Sequence, residues 1–386
     1  MWIEQARPVY EAGRAGECSI RGRKKTVNRA RGKLDMNVHR QREGVARCIA
    51  VVLAACGLIV PAAVAIAADK PLEIRMVTLA PLGTSPHVSL LKMGERWQKV
   101  SGGRVKLAII ASYRAGGEAA IVDKMGIGGV DAALMTVVGL SKIDRGVNAL
   151  AGIPMVYHSL EEVDHVVEKL GPDLAKRLEQ KGAMMLFWAD LGWIRHFSVQ
   201  PLHRPEDLKR MKVFVWAGSP DQVEIMKDWG TNPVSIEPAD ILPGLSTGMI
   251  NEVAATPFSA NAGQFATITK NMLEVNWAPL VGGAVIRKQT WEKIPAEFRQ
   301  EFLKIAAETG QEIKAAGRKE SDDAVEAMRK KQGLQVYVPS PEVTEEWRRV
   351  VRSAYPKIRG AMVPADMFDK LESVLKEYRS KREAGK

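Results

Sequence analysis

The chain has 386 residues, 46% hydrophobic and 26% charged, and its 56 Lys and Arg exceed its 45 Asp and Glu by 11. This composition excludes a disordered or collagen-like chain, three cysteines are too few for a disulfide scaffold, and the length suffices for two domains. A basic surplus suits nucleic acid, an anionic membrane or a basic tail, and its location decides among them.

Residues 1–68 hold twelve Lys and Arg against five acids, so seven of the eleven surplus charges lie there. From Cys48 to Ala68 the chain runs 21 residues without a charge, long enough to span a bilayer. Pro61, the small residues Ala65, Ala67 and Ala68, and the polar Asp69-Lys70 fit a secretory signal with an A-x-A cleavage site better. Met36 would give a leader of ordinary length, so residues 1–35 are set aside as a misassigned start. Leu53-Ala54-Ala55-Cys56 has the form of a lipobox, but the apolar run continues past it, which makes a lipid on Cys56 the lesser expectation. The address predicted is the periplasm. All three cysteines (Cys18, Cys48, Cys56) fall in this leader, leaving residues 69–386 without a thiol nucleophile or thiolate metal ligand.

Beyond the leader, Leu72 to Val77 alternates as a half-buried strand, and a helix is expected around Val88 to Val100, ended by Ser101-Gly102-Gly103. Val105 to Ile110 reads as a strand, and Gly126-Ile127-Gly128-Gly129 as a loop before a strand at Ala132 to Met135. Ser159 with Glu162 makes a capping box for a helix whose apolar face is Leu160, Val163, Val166, Val167 and Leu170. Further strands are expected at Ala183 to Trp188, Lys212 to Trp216 and Glu252 to Thr256. Pro295 to Lys331, rich in Ala, Glu and Lys, reads as one long helix or a pair. Repeated β-then-α order predicts an α/β fold with a parallel or mixed sheet, in two lobes with a helical C-terminal part.

Catalytic patterns are absent. There is no G-x-S-x-G and no P-loop, and the Gly126 loop lacks the third glycine of a dinucleotide fingerprint. His158, Glu162 and His165 do not form H-E-x-x-H, and their helix reads as solvated surface; His87 reads as a helix-start residue. Lys and Arg in residues 69–386, 44 against 40 acids, are interleaved with those acids, as in Glu345-Glu346-Trp347-Arg348-Arg349, which argues against nucleic acid. No cofactor or metal is expected. A secreted, thiol-free α/β chain of this kind points to a binding protein.

The segments PLHRPEDLKRMKVFVWAG (201–218) and GTNPVSIEPADILPGLSTGMINEVAATP (230–257) resemble the central signature of the substrate-binding P subunits of TRAP (tripartite ATP-independent periplasmic) transporters, DctP-like proteins. In that family a "kPi…pDlkGlKiRv" run leads through "GanPv" to "aLqtGvvDg…nP". Gly116-Gly117-Glu118, Gly129-Val130-Asp131, Ile153-Pro154-Met155 and Trp291-Glu292-Lys293-Ile294-Pro295 extend the likeness over most of 70–380. The resemblance implies two hinged lobes closing on a small ligand, delivery to small and large membrane subunits, and no enzymatic activity. A monomer is expected, with residues 69–192 plus 282–320 as one lobe and 193–281 plus 321–386 as the other.

One position departs from the family. Where "KiRv" places an Arg that forks onto a ligand carboxylate, this chain has Phe214 in Lys212-Val213-Phe214-Val215. Thr256 stands loosely where the family has a polar amide before "nP". Three readings follow. Phe214 packs while Arg195, which matches a second family Arg, or Arg114 beside Tyr113, catches a carboxylate. Alternatively, the ligand is neutral, apolar or aromatic and is held by Phe214, Trp216, Trp193, Trp188 or Phe258. In the third, the chain serves a sensory system instead of transport. The candidate ligand residues are Arg195, Phe214, Trp216, Thr256, Trp193, Tyr113 and Phe258.

Overall fold

The computed structural model describes residues 70–111 and 116–384, which belong to one compact unit. The leader, its cysteines, Tyr113 and Arg114 lie outside the described residues.

Among the described residues, nine strands form one mixed sheet. In chain order they are β1 (Leu72–Thr78), β2 (Val105–Ala111), β3 (Ala132–Thr136), β4 (Ala183–Ser198), β5 (Lys212–Trp216), β6 (Asn232–Ile236), β7 (Glu252–Ala255), β8 (Asn271–Arg287) and β9 (Gln335–Tyr337). The spatial order is β2-β1-β3-β8-β4-β7-β5-β6, with β9 beside β8. β1 is parallel to β2 and β3 on one side, and β5 is parallel to β6 and β7 on the other. Between them β4 and β8, of 16 and 17 residues, run antiparallel and are shared by both halves. Each half has its own packed interior. Trp97 stacked on Phe302 at 4.4 Å typifies the β1–β3 side; Trp277 edge-on to Trp347 at 6.2 Å typifies the β5–β7 side. This is the two-lobed α/β architecture that the segment pattern predicts.

The expected elements fall close to their predicted bounds. In β1 the alternation buries Ile74 and Met76 and exposes Glu73 and Arg75. The helix Leu160–Gln180 opens on Ser159, whose Oγ accepts the Glu162 N–H, and it buries Val163, Val166 and Leu170 completely. Its Glu162 departs from both expectations. The carboxylate accepts the backbone N–H of His158 rather than of Ser159, and it is buried under Arg379, whose Nε and Nη2 donate to it at 2.8 and 2.7 Å. That face of the helix is packed, not solvated. Thr256 is not the end of a strand but the N-cap of the helix Pro257–Ala262.

β6, β8 and β9 have no counterpart among the expected strands, and β4 continues ten residues beyond Trp188. β8 contains Pro279, Gly282 and Gly283, residue types disfavoured inside strands, yet the glycines are what permit it to lie between its neighbours. A Cβ on Gly282 would sit 2.4 Å from the Met135 carbonyl oxygen, and one on Gly283 2.7 Å from that of Phe187. The last third of the chain is dominated by one unbroken 37-residue helix, Ala296–Gln332. Its Gly310 and Gly317 let it press on β4, since a Cβ there would meet the Phe187 ring at 2.8 Å and the Leu191 side chain at 2.4 Å. Arg318 fastens the same contact, donating to Asp190 at 2.9 and 2.7 Å and to Asp164 at 2.9 and 2.7 Å.

Candidate ligand site

Two adjoining cavities of about 430 and 300 Å³ lie where β4, β5, β7 and β8 meet the loops that follow β1, β3 and β5. They share a wall that includes Thr136, Ile194, Phe214, Trp216 and Leu280. Strand alternation builds this wall. Ile194 and His196 of β4 face the cavities, whereas Arg195 between them lines neither. Its Nη1 donates to Glu274 Oε1 at 2.7 Å on the other face, and its side chain is 13% exposed.

Phe214 and Trp216 line both cavities, with ring centroids 6.2 Å apart. Thr256 and Phe258 line only the larger one. The Thr256 hydroxyl is spoken for: it accepts the Ser259 N–H at 3.1 Å and donates to Ser259 Oγ at 2.9 Å. Trp193 and Trp188 are half-buried against the core of the β1–β3 side and line neither cavity. The structure thus brings together Phe214, Trp216, Thr256 and Phe258, and separates Trp193 and Arg195 from them.

Among the described residues, the larger cavity is lined by no Lys, Arg or His. Its two ionisable groups among the described residues are Glu118 and Asp190. Asp190 is matched by Arg318. Glu118 accepts the Thr136 N–H at 2.7 Å, the Thr136 hydroxyl at 2.7 Å and the Gly139 N–H at 2.8 Å, which fixes the turn after β3. Burial pushes its pKa up, those three donors pull it down, the charge of Glu237 adds to the rise, and the net shift is upward. Glu237 is raised as well, by burial and then by Asp240. Its carboxylate lies over Gly117, where a Cβ would come within 2.0 Å of Oε2.

The smaller cavity is different. Lys142 and Arg145 lie along it, Arg145 paired to Asp221 at 2.6 Å across the rim in an exposed contact worth under about 1 kcal/mol. It is also lined by His196, whose Nδ1 lies 2.7 Å from Glu252 Oε1 with both side chains buried, and by Trp229, whose Nε1 is buried without a partner among the described residues. Sequence reasoning missed His196, Glu252 and Glu118, because neither a lone His in a strand nor a Glu after Gly116-Gly117 matches a chemical motif. The alternation of β4 was the available signal for His196. No three His, Cys, Asp or Glu among the described residues are grouped to hold a metal, and no helix among them is long and apolar enough to cross a membrane.

A mixed sheet whose two halves share long crossing strands, with a mostly apolar cleft at their junction, defines a two-lobed solute-binding protein. The chain belongs to the DctP family, "Bacterial extracellular solute-binding protein, family 7", whose profile matches residues 76–360. It is similar to the 2,3-diketo-L-gulonate-binding periplasmic protein YiaO of Escherichia coli K12, with 24% identity over 230 residues, 58% of this chain and 69% of that one. To the C4-dicarboxylate-binding periplasmic protein DctP of Rhodobacter capsulatus it is 21% identical over 207 residues, 53% and 62% of the two chains. Its fold matches a TRAP periplasmic solute-binding protein from Ralstonia eutropha H16 with bound (S)-2-acetolactate, at TM-score 0.73 and 21% identity, over 80% of this chain and all of that one. A second match, from Pseudomonas putida F1 with bound D-glucuronate, has TM-score 0.70 and 20% identity over 78% and 96% of the two chains. The protein is therefore a substrate-binding receptor of TRAP transport, a family of transport components and not of enzymes.

Proposed function

We propose that this receptor takes up a small neutral solute with an aromatic or other apolar body and passes it to the small and large membrane subunits of a TRAP transporter. The observation that carries the reading is the larger cavity, which has Phe214, Trp216 and Phe258 on its wall and, among the described residues, no cation. Enclosing a carboxylate there without a partner costs several kcal/mol, whereas burying an aromatic ring of about 150–250 Å² gains about 4–6 kcal/mol at 25 cal/mol per Å². Arg195 is a poor substitute for the missing family Arg. It would have to leave Glu274 and cross to the opposite face of β4. Similar proteins are named for acids, but at these identities they speak for the fold and the transport role, not for the ligand.

In this reading one lobe comprises residues 69–192 and 282–320 and the other 193–281 and 321–386, with the solute held where β4 and β8 pass between them. A thermal-shift panel tests it with neutral aromatics (indole, benzyl alcohol, acetophenone) and short acids (succinate, D-glucuronate). Stabilisation by the neutral aromatics is expected; stabilisation by the acids alone refutes the reading.

A further inference from the structure

Four hydroxyl side chains, Thr78, Thr136, Thr256 and Ser259, stand on the otherwise largely apolar wall of the larger cavity. Each carries one hydrogen at any pH near neutral and needs one acceptor for it. Thr136 donates to Glu118 Oε2 at 2.7 Å. Thr78 is 1% exposed, and its oxygen takes the Ala80 N–H at 3.1 Å. Thr256 and Ser259 form a pair, their hydroxyl oxygens 2.9 Å apart, with Thr256 Oγ1 also accepting the Ser259 N–H at 3.1 Å.

That pair holds two hydroxyl hydrogens and one contact between oxygens, so one hydrogen is left over whichever way the bond runs. Thr256 is fully buried, and the spare hydrogen on it would be a buried donor without an acceptor, which folded proteins rarely keep. Ser259 is only half-buried. Thr256 therefore donates, and the hydrogen left over is that of Ser259, on the larger cavity and with no acceptor among the described residues. Phe258, Ala262 and Phe265 line the same cavity beside it.

We propose that Ser259 Oγ–H donates to an uncharged acceptor oxygen of the bound solute, and so sets which apolar molecules this receptor prefers. The solute class is an aromatic or other apolar body carrying a neutral carbonyl oxygen. A hydroxyl meets such an oxygen without bringing a charge into the cavity, and it is left unmet by a plain hydrocarbon, which is how one polar group in an apolar pocket discriminates. The proposal rests on the reading of the larger cavity as an apolar site.

Two measurements test it. Isotope-edited infrared spectra of carbonyl-¹³C acetophenone bound to the unaltered protein are expected to show the C=O stretch lowered from its value in hexane; a band at the hexane value overturns the proposal and needs no variant. Calorimetric titration then compares acetophenone with ethylbenzene, which share a ring and a two-carbon chain and differ by the oxygen. In Ser259→Ala the affinity for the ketone relative to the hydrocarbon is expected to fall about tenfold, and in Ser259→Thr, which keeps the hydroxyl, to recover in part. An unchanged ratio in Ser259→Ala overturns the proposal, and so does a ratio that falls in Thr78→Val or Trp216→Phe instead, since those remove the other uncharged donors of the wall. Binding of ethylbenzene alone by the unaltered protein overturns the proposal and leaves the apolar-site reading standing. Binding of neither probe overturns both.

Discussion

Replacing Phe214 by Arg introduces the side chain that the resemblance in the 201–218 segment implies for this position, and its consequences can be worked out from the site. Phe214 is 3% exposed and stands in the wall common to both cavities, with Trp216 6.2 Å away. A guanidinium in that wall is desolvated without a prepared partner, and loses the ring's packing, so the empty protein should be less stable by about 3 kcal/mol. At about 2–4 °C per kcal/mol for a chain of this size class, the melting temperature should fall by about 6–12 °C. A carboxylate ligand supplies the missing charge. Phenylacetate should then raise the melting temperature of Phe214→Arg well above the shift it gives the unaltered protein, with an affinity gain of about 100-fold, or about 2.7 kcal/mol. Phenylacetamide, which lacks the charge, should bind the variant at least about tenfold more weakly than the unaltered protein. Differential scanning fluorimetry followed by calorimetric titration reads both effects. If Phe214→Arg leaves both affinities unchanged, the side chain does not face the ligand and the reasoning fails.

Arg318→Ala leaves Asp190, 5% exposed, without its counter-charge on the wall of the larger cavity, and should cost about 3 kcal/mol in chemical denaturation; a loss under about 1 kcal/mol would show that the pair is not structural. Gly282→Ala must push β8 away from the Met135 carbonyl, and should destabilise by about 1–3 kcal/mol; an unchanged melting temperature would contradict the close approach. Acid should act with two signs. The pKa of Asp131, Asp144, Glu162 and Asp164 is pushed up by burial but lowered on balance by Arg75, Lys181 with Arg177, Arg379 and Arg318 respectively, so their contribution is present above the unfolded carboxylate values near 4 and is lost as pH falls through the folded ones. Glu118 and Glu237 are raised, so they weaken the fold at neutral pH and that penalty lifts as pH falls through their folded values. Stability measured by denaturant titration should therefore change little or rise from neutral pH toward about 5 and fall steeply below about 4; a steady fall from pH 7 would contradict the raised pair.

Much of this fold was legible in the sequence because local patterns agree with their tertiary use. β1 alternates because one of its faces is buried, the Ser159 cap starts a helix because its Oγ takes a free N–H, and Ala296–Gln332 has few residues that could break it. β8 was hidden because Pro279 and Gly282-Gly283 look like breaks in isolation; only the positions of Met135 and Phe187 reveal why those glycines are needed. The candidate site divides along the same line. Phe214 and Trp216 could be named from a departure within a known motif, since a strand's alternation keeps that position on the same face. Arg195 lies off the cavity wall because it alternates with Ile194 and His196, which line it, and the phase of that alternation follows from the pairing of β4 with β7 and β8. The His196–Glu252 pair joins residues 56 apart, a proximity that no local pattern encodes.

The central claim is that the larger cavity selects an uncharged, apolar-bodied solute over an organic acid. Calorimetric titration of the unaltered protein with phenylacetamide and phenylacetate tests it most directly, since the two share a ring and a carbonyl and differ in charge. The account predicts that the amide binds at least about tenfold more tightly, the least that an unpaired buried carboxylate should cost. Tighter binding of the acid would contradict it.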